Sequence, residues 1–145
     1  MRRLRALLAA CIAAAAFEAG AATCTVSASG LAFGTYDLSA STPLDVAGSV
    51  DFRCNEPSAV RIQISPGGSA TYWPRAMRSG SATLDYNLYT SAPRTQVWGD
   101  GSGGTSVRTI GAGRGEAVPI YGRIPALQSV PSGTYADVLV VTFEF

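Results

Sequence analysis

Short apolar runs separated by glycine, proline and serine limit the fold of this chain more than any other feature. Beyond the N-terminal segment, no apolar pattern with the helical period of 3.6 residues extends over a useful length. The run AVRIQIS shows the strand pattern most clearly, with Val60, Ile62 and Ile64 on one face and Arg61 and Gln63 on the other. Such runs predict an all-β sandwich or barrel, and 145 residues are enough for one domain.

The remaining strands and loops are predicted from the same pattern. Inward side chains are expected at alternate positions of two of these runs: Val46, Val50 and Phe52 in the first, and Leu84, Tyr86 and Leu88 in the second. The predicted strand regions are 24–37, 44–54, 59–65, 82–90, 116–126 and 135–145, and the predicted loops are 66–81 and 95–115. Pro119 and Pro125 place the fifth of these regions at an edge or a bend rather than inside a ladder.

The last run, Tyr135–Phe145, is apolar on both faces. A strand buried on both faces normally has neighbours on both edges, but the sequence offers no following strand. Four apolar side chains share one face, and the middle of the other face is apolar at Val138 and Val140. The four are Leu139, Val141, Phe143 and Phe145.

Residues 1–22 are predicted to be a cleaved signal peptide, leaving a domain over 23–145. Three arginines precede the apolar stretch Ala6–Phe17, which is too short for a membrane span of about 20 residues. Small residues follow it, and we expect cleavage near Ala22. Leu8–Cys11 looks like a lipoprotein cleavage site, but so little apolar sequence precedes Cys11 that we expect it to be removed with the signal. The chain is therefore expected to be exported through the inner membrane to the periplasm.

Removal of Cys11 leaves two cysteines, Cys24 and Cys54. In an exported chain an even pair is typical of one disulfide. Closing a loop of about 30 residues would contribute about 3–4 kcal/mol. Two free thiols are the alternative, and a zinc site is less favoured because the sequence has no histidine.

Catalytic and nucleic-acid-binding functions are poorly supported. The lack of histidine removes Ser-His and Cys-His nucleophiles, and the carboxylates are scattered singly, although two of them could still meet in space. The net charge is +1, and three of the eleven arginines fall in the first five residues, so no basic stripe remains for phosphates. The run GDGSGG lacks the Lys-Ser/Thr ending of a phosphate loop. We predict a protein that is not an enzyme, without cofactor, metal or nucleic acid.

Several segments together resemble a known family. CTVSASGLAFGTYD, VDFRC, RAMRSGSATLDYNLYT, VWGDG and IYGRIPALQSVPSGTYADVLVVTFEF are similar, in order and spacing, to the spore coat protein U domain. That family resembles the subunits of archaic chaperone–usher pili. The resemblance covers essentially the whole mature chain, and it implies an incomplete immunoglobulin-like β-sandwich lacking its final strand.

The resemblance also implies a site and partners. A donor strand would bind in a groove between Cys24–Phe33 and Tyr135–Phe145, supplied first by a periplasmic chaperone and later by another pilus subunit delivered through an outer-membrane usher. The groove residues carried over are Tyr135, Leu139, Val141, Phe143 and Phe145.

The predicted cleavage site bears on the position in the fibre. Cleavage near Ala22 would leave only Thr23 before Cys24, so the chain would accept a strand but donate none, which is expected of a tip subunit. A mature start near Ala13 would restore a donor segment. An adhesive role would use the loops that carry Tyr72, Trp73 and Trp98, although both tryptophans could instead be core residues.

The leading functional prediction is therefore a structural subunit of a surface pilus, and a tip position with an adhesive role is an additional hypothesis. The alternative is a secreted spore or cell coat or matrix protein that is not assembled by strand exchange. An exported enzyme on a β-sandwich is a third candidate, since fold alone does not separate these functions.

Overall fold

The structure, a computed structural model, describes residues 22–145. The predicted signal peptide up to residue 21, including Cys11, lies outside the described residues. Residues 22–145 contain six strands and one single-turn 3-10 helix, Gly67–Ser69, which confirms the predicted all-β fold. Across the described range no helix is long and apolar enough to span a membrane. The strands are β1 Cys24–Ala28, β2 Leu44–Ile64, β3 Arg75–Ser79, β4 Ala82–Tyr89, β5 Arg108–Ile124 and β6 Val141–Glu144.

The strands form one curled antiparallel sheet in the order β1-β2-β5-β4-β3, with β6 added to β2. β2 is long enough to contribute to both layers of the sandwich. Its first half pairs with β1 and with the second half of β5, and its second half pairs with β6. The register between β2 and β5 shifts between Arg53 and Val60, where the ladder is irregular. Such irregularities bend a strand, so the sheet folds back on itself around one core.

The core lies between the two layers and contains most of the predicted inward residues. Val60, Ile62 and Ile64 are at most 1% exposed, as the alternation predicts. Leu84, Tyr86 and Leu88 are buried as well, and so are Val50 and Phe52, whereas Val46 is half buried. Burying a side chain of this size contributes roughly 1.5–3 kcal/mol, so this alternation supplies much of the driving force for folding.

Two predicted loops contain strands. β3 lies inside the predicted loop 66–81, because its inward positions are Arg75 and Met77, and an inward arginine hides the apolar alternation. The second half of the predicted loop 95–115 is the start of β5, where Ile110 pairs with Val60 despite the surrounding glycines.

Two predicted strands are shorter than expected. β1 ends at Ala28, and the regular ladder of the last run covers only Val141–Glu144. Pro119 does lie where β5 has a single neighbour: it faces Ser49 of β2, and β4 joins only at Tyr121. A proline is tolerated there because a one-sided ladder needs fewer N–H donors.

Candidate functional site

An open groove with a volume of about 800 Å³ runs along one side of the sandwich. Its two walls are residues 28–38 and 130–141, close to the two segments predicted to border a donor-strand groove. Of the five residues expected to contact a donor strand, Tyr135, Leu139 and Val141 line this groove, whereas Phe143 and Phe145 lie outside it. The floor is apolar and consists of Val50, Ile64, Met77, Leu84, Leu88, Ile120 and Ile124, with Tyr86 at one end.

The first wall is held by side chains rather than by strand pairing. Residues 29–36 belong to no strand, and their side chains Leu31 and Phe33 rest on Gly48 and Gly122. A Cβ atom added to Gly122 would lie 2.6 Å from Leu31 and 2.7 Å from Phe33. Because neither glycine has a side chain, Leu31 and Phe33 pack directly on the backbone of the β2–β5 sheet, and this contact holds the first wall in place.

Hydrogen bonds of the Tyr36 and Gln128 side chains fix one end of this wall. The Tyr36 hydroxyl donates to the Pro125 carbonyl at 2.7 Å and accepts from the Gln128 N–H at 3.0 Å. The Gln128 side chain accepts a hydrogen bond from the Asp85 N–H at 2.8 Å and donates one to the Asp85 carbonyl at 2.9 Å. It therefore replaces a strand neighbour along β4, where β5 has diverged.

The second wall has a free main-chain edge. Ala136 pairs with Arg78 of β3 at 2.8 and 3.0 Å, and the Val140 carbonyl and N–H both bond to Ser65 at 2.9 Å. In an antiparallel ladder the main-chain groups alternate in direction, so residues next to Val140 present theirs to the opposite edge. Within residues 22–145 no strand pairs with that edge. The residues whose main chain faces it are Leu139, Val141 and Phe143.

Beyond the groove, the last run is more exposed than predicted. Phe143 is half buried against Phe52, with ring centroids 6.4 Å apart, but Phe145 is 56% exposed. Val138 and Val140 on the opposite face are 83% and 63% exposed. The expectation of burial on both faces is therefore wrong for this chain alone, because its outward face is open to solvent and its inward face borders the groove.

A polar pair stands at one end of the groove. The Tyr86 hydroxyl donates a hydrogen bond to Asp137 at 2.7 Å. The pKa of Tyr86 is raised mainly by burial and secondly by this hydrogen bond to the carboxylate. Behind Tyr86 lies Arg75, which is fully buried and donates to the Asn87 side chain at 2.8 Å and to carbonyls including that of Trp98 at 2.7 Å. Burial lowers the pKa of Arg75, yet an arginine remains charged at neutral pH.

The predicted surface-binding residues separate into two groups. Trp98 is fully buried and donates its indole N–H to the Ile62 carbonyl at 3.0 Å, so it is a core residue and its prediction as a surface contact is wrong. Tyr72 is half buried, and its hydroxyl reaches Ile64. Trp73 is 56% exposed and donates to the Gly103 carbonyl at 2.8 Å, so it alone of the three offers a large exposed ring.

The predicted disulfide is confirmed. Cys24 and Cys54 are bonded with an S–S distance of 1.99 Å and stand opposite each other in the β1–β2 ladder. The other side chains of β1 are exposed, so the disulfide and the ladder carry most of its attachment. Thr23 continues the pairing, because Thr23 and Asn55 exchange hydrogen bonds of 2.8 and 3.0 Å.

Sequence reasoning missed three residues of the site: Arg75, Gln128 and Asp137. Asp137 belongs to the quoted GTYAD segment, but its neighbours in sequence do not indicate that it would meet Tyr86. In the described part of the chain, no group of three or more His, Cys, Asp or Glu residues is placed to hold a metal ion.

Comparison with known proteins supports the fold and the family. Residues 9–142 match the Spore Coat Protein U domain family. Protein U of Myxococcus xanthus is 37% identical over 128 residues, which covers 79% of this chain and 71% of that protein. A similar fold occurs in the solved CsuC–CsuE chaperone–tip adhesion subunit pre-assembly complex from archaic chaperone–usher Csu pili of Acinetobacter baumannii.

That solved structure matches with a TM-score of 0.63 at 20% identity and covers 86% of this chain. The match covers 40% of the solved chain, so this protein spans about two fifths of its length. The predicted fold class is confirmed: an immunoglobulin-like sandwich in which, among residues 22–145, the place beside β6 is unfilled. The chain belongs to the Spore Coat Protein U domain family.

Proposed function

We propose that this chain is a structural subunit of a chaperone–usher surface pilus and binds a strand from another polypeptide in its groove. The observation that carries the proposal is the free edge at Leu139, Val141 and Phe143, beside an apolar groove. A strand added there would form main-chain hydrogen bonds with the edge and place alternate side chains on the floor. An unpaired apolar edge is otherwise an aggregation hazard, so covering it also solubilises the protein.

The occupant should be an extended segment about as long as 135–145, which is roughly 35 Å of strand. Its apolar side chains should recur at every second position, since only one face meets the floor. We assign this role first to a periplasmic chaperone and then to a neighbouring subunit, with an outer-membrane usher assembling the fibre at the cell surface. The solved complex of a chaperone with a pilus subunit supports the first of these partners. We propose a structural rather than an enzymatic role.

A donor segment fused after Phe145 through a flexible linker tests the proposal. We expect the fused protein to be a soluble monomer with a higher melting temperature than the parent chain. The matched control carries the same fusion with serine at each apolar position of the donor, and it should behave like the parent. A parent chain that is already a stable monomer, with amides protected from exchange at Leu139 and Val141, would refute strand acceptance.

The second candidate is a secreted coat or matrix protein that does not exchange strands. The family description and the 37% identity to Protein U favour it. The same fusion experiment separates the two functions, because a coat protein of this kind gains nothing from a donor.

Position in the fibre rests on the predicted cleavage near Ala22. With that start, the segment before Cys24 would be Thr23, which is already bonded to Asn55. We therefore propose a tip position, and the intact mass of the exported protein tests it. An adhesive role would rest on the exposed ring of Trp73. Reduced adherence of cells that carry Trp73→Ala, at unchanged pilus number, would support it.

A further inference from the structure

Asp137 lies where the last segment passes from one neighbour strand to another. Ala136 before it pairs with Arg78 of β3, and Val140 after it pairs with Ser65 at the end of β2. Within the described structure, residues 137–139 between these points form no hydrogen bond from one main-chain group to another. This stretch is part of the groove wall, so something other than the ladder must fix it.

The Asp137 carboxylate supplies the missing contacts. One oxygen accepts from the Tyr86 hydroxyl at 2.7 Å, and the other accepts from the N–H groups of Gly68 and Val138, both at 2.9 Å. Tyr86 is 3% exposed and stands in the groove floor. Its ring meets Phe33 of the opposite wall edge-on, at 5.9 Å between centroids. The chain of contacts from Asp137 through Tyr86 to Phe33 therefore links the two walls.

The position of this charge is unusual. Asp137 is the one acidic or basic side chain among the described residues that line the groove. A carboxylate beside an apolar floor is tolerated because three donors satisfy it. The fit around it is tight, since a Cβ atom on Gly67 would run into the carboxylate.

We infer that Asp137 is a positioning residue for strand binding: it holds residues 137–139 extended along the groove edge before a strand arrives. The inference rests on the proposed function. A free edge that is ordered in advance binds faster, because the entropy of ordering it is not lost during the encounter. Without the link, Leu139 and its neighbours would sample other conformations, and only a fraction of the molecules could accept a strand.

Peptide-binding kinetics test the inference. The protein is immobilised and refolded on a biosensor surface, and the probe is a synthetic peptide about as long as 135–145 with valine at alternate positions. Tyr86→Phe removes one donor from Asp137, and Asp137→Asn weakens the whole link. The control is Tyr121→Phe, which removes a hydroxyl from a ring on β5 that lies outside the groove and packs against Arg94 at 5.6 Å.

We expect the association rate to fall about tenfold in Tyr86→Phe and further in Asp137→Asn, with dissociation changed less than about twofold. The control should match the wild type. A loss confined to dissociation, an equal loss in the control, or unchanged association in Tyr86→Phe would overturn the positioning role. If the wild-type protein bound no peptide, strand acceptance itself would be wrong, so the two failures are distinguishable.

Discussion

Replacing Gly122 with alanine tests how the first wall of the groove is held. At Gly122, β5 is paired on both sides, with Val46 and with Leu88, so its backbone has little freedom to move. The new Cβ would lie 2.6 and 2.7 Å from Leu31 and Phe33, and these side chains must shift instead.

The expected magnitude follows from two opposing terms. Overpacking of this kind costs about 1–3 kcal/mol, and the reduced entropy of the unfolded chain returns about 0.4–1 kcal/mol. The mid-points of the two ranges differ by about 1.3 kcal/mol, which is the decrease in the free energy of unfolding that we expect for Gly122→Ala. For a domain of this size that corresponds to a decrease in melting temperature of about 4–8 °C.

Urea unfolding of the donor-fused protein, followed by the fluorescence of buried Trp98, measures the effect. Gly111→Ala in the same strand is the matched control: nothing lies within 4 Å of its added Cβ, so we expect no loss of stability. Leu31→Ala should cost less in the Gly122→Ala background than in the wild type, since it removes one of the two clashing side chains. Equal stability of the two glycine variants, or strict additivity with Leu31→Ala, would refute the seating of the wall on Gly122.

Three further predictions concern stability. Replacing Cys24 and Cys54 together with serine should lower stability by about 3–4 kcal/mol in urea unfolding, and an unchanged midpoint would contradict this. The hydrogen bonds from Arg123 hold the pKa of Asp45 below its ordinary value, so their stabilisation is present above about pH 4 and is lost as the pH falls further. Asp45→Asn should flatten this acid limb of the stability profile, and identical profiles would argue against it. Arg75→Met leaves buried carbonyls unpaired and should destabilise the fold by about 3–5 kcal/mol, which a wild-type urea midpoint would disprove.

The parts of the fold that follow local alternation could be predicted from the sequence. Val60, Ile62 and Ile64 are inward because a strand has a period of two, and the even pair of cysteines that remains after the predicted cleavage correctly indicated the disulfide. β3 was missed because the burial of Arg75 depends on carbonyls of distant segments, which no local pattern shows. The burial of Trp98 also depends on a distant segment, since its hydrogen-bond partner is the carbonyl of Ile62, 36 residues away.

The candidate site was only partly predictable for the same reason. The walls of the groove overlap the two segments that the family resemblance implies, 24–33 and 135–145, and they include Leu139 and Val141 but not Phe143 or Phe145. The contacts that fix the walls are long-range: Asp137 meets Tyr86 across 51 positions, and Gln128 meets Tyr36 across 92. Contacts of this kind depend on the finished topology, so a single sequence gives no sign of them.

The pairing of β6 with β2 also determines how the molecule resists tension. In the ladder between β6 and β2, Arg61 faces Glu144 and Ile64 faces Val141. The Arg61–Glu144 end is therefore the end closer in sequence both to the C-terminus and to the disulfide at Cys54. A pull between that disulfide and the C-terminus would open the ladder from one end, one hydrogen bond at a time. The strand that we propose to bind in the groove would be loaded in shear by a pull along its own axis, so that its hydrogen bonds would have to break together. The register therefore predicts that the β6 ladder opens at low force when the molecule is pulled between Cys54 and Phe145.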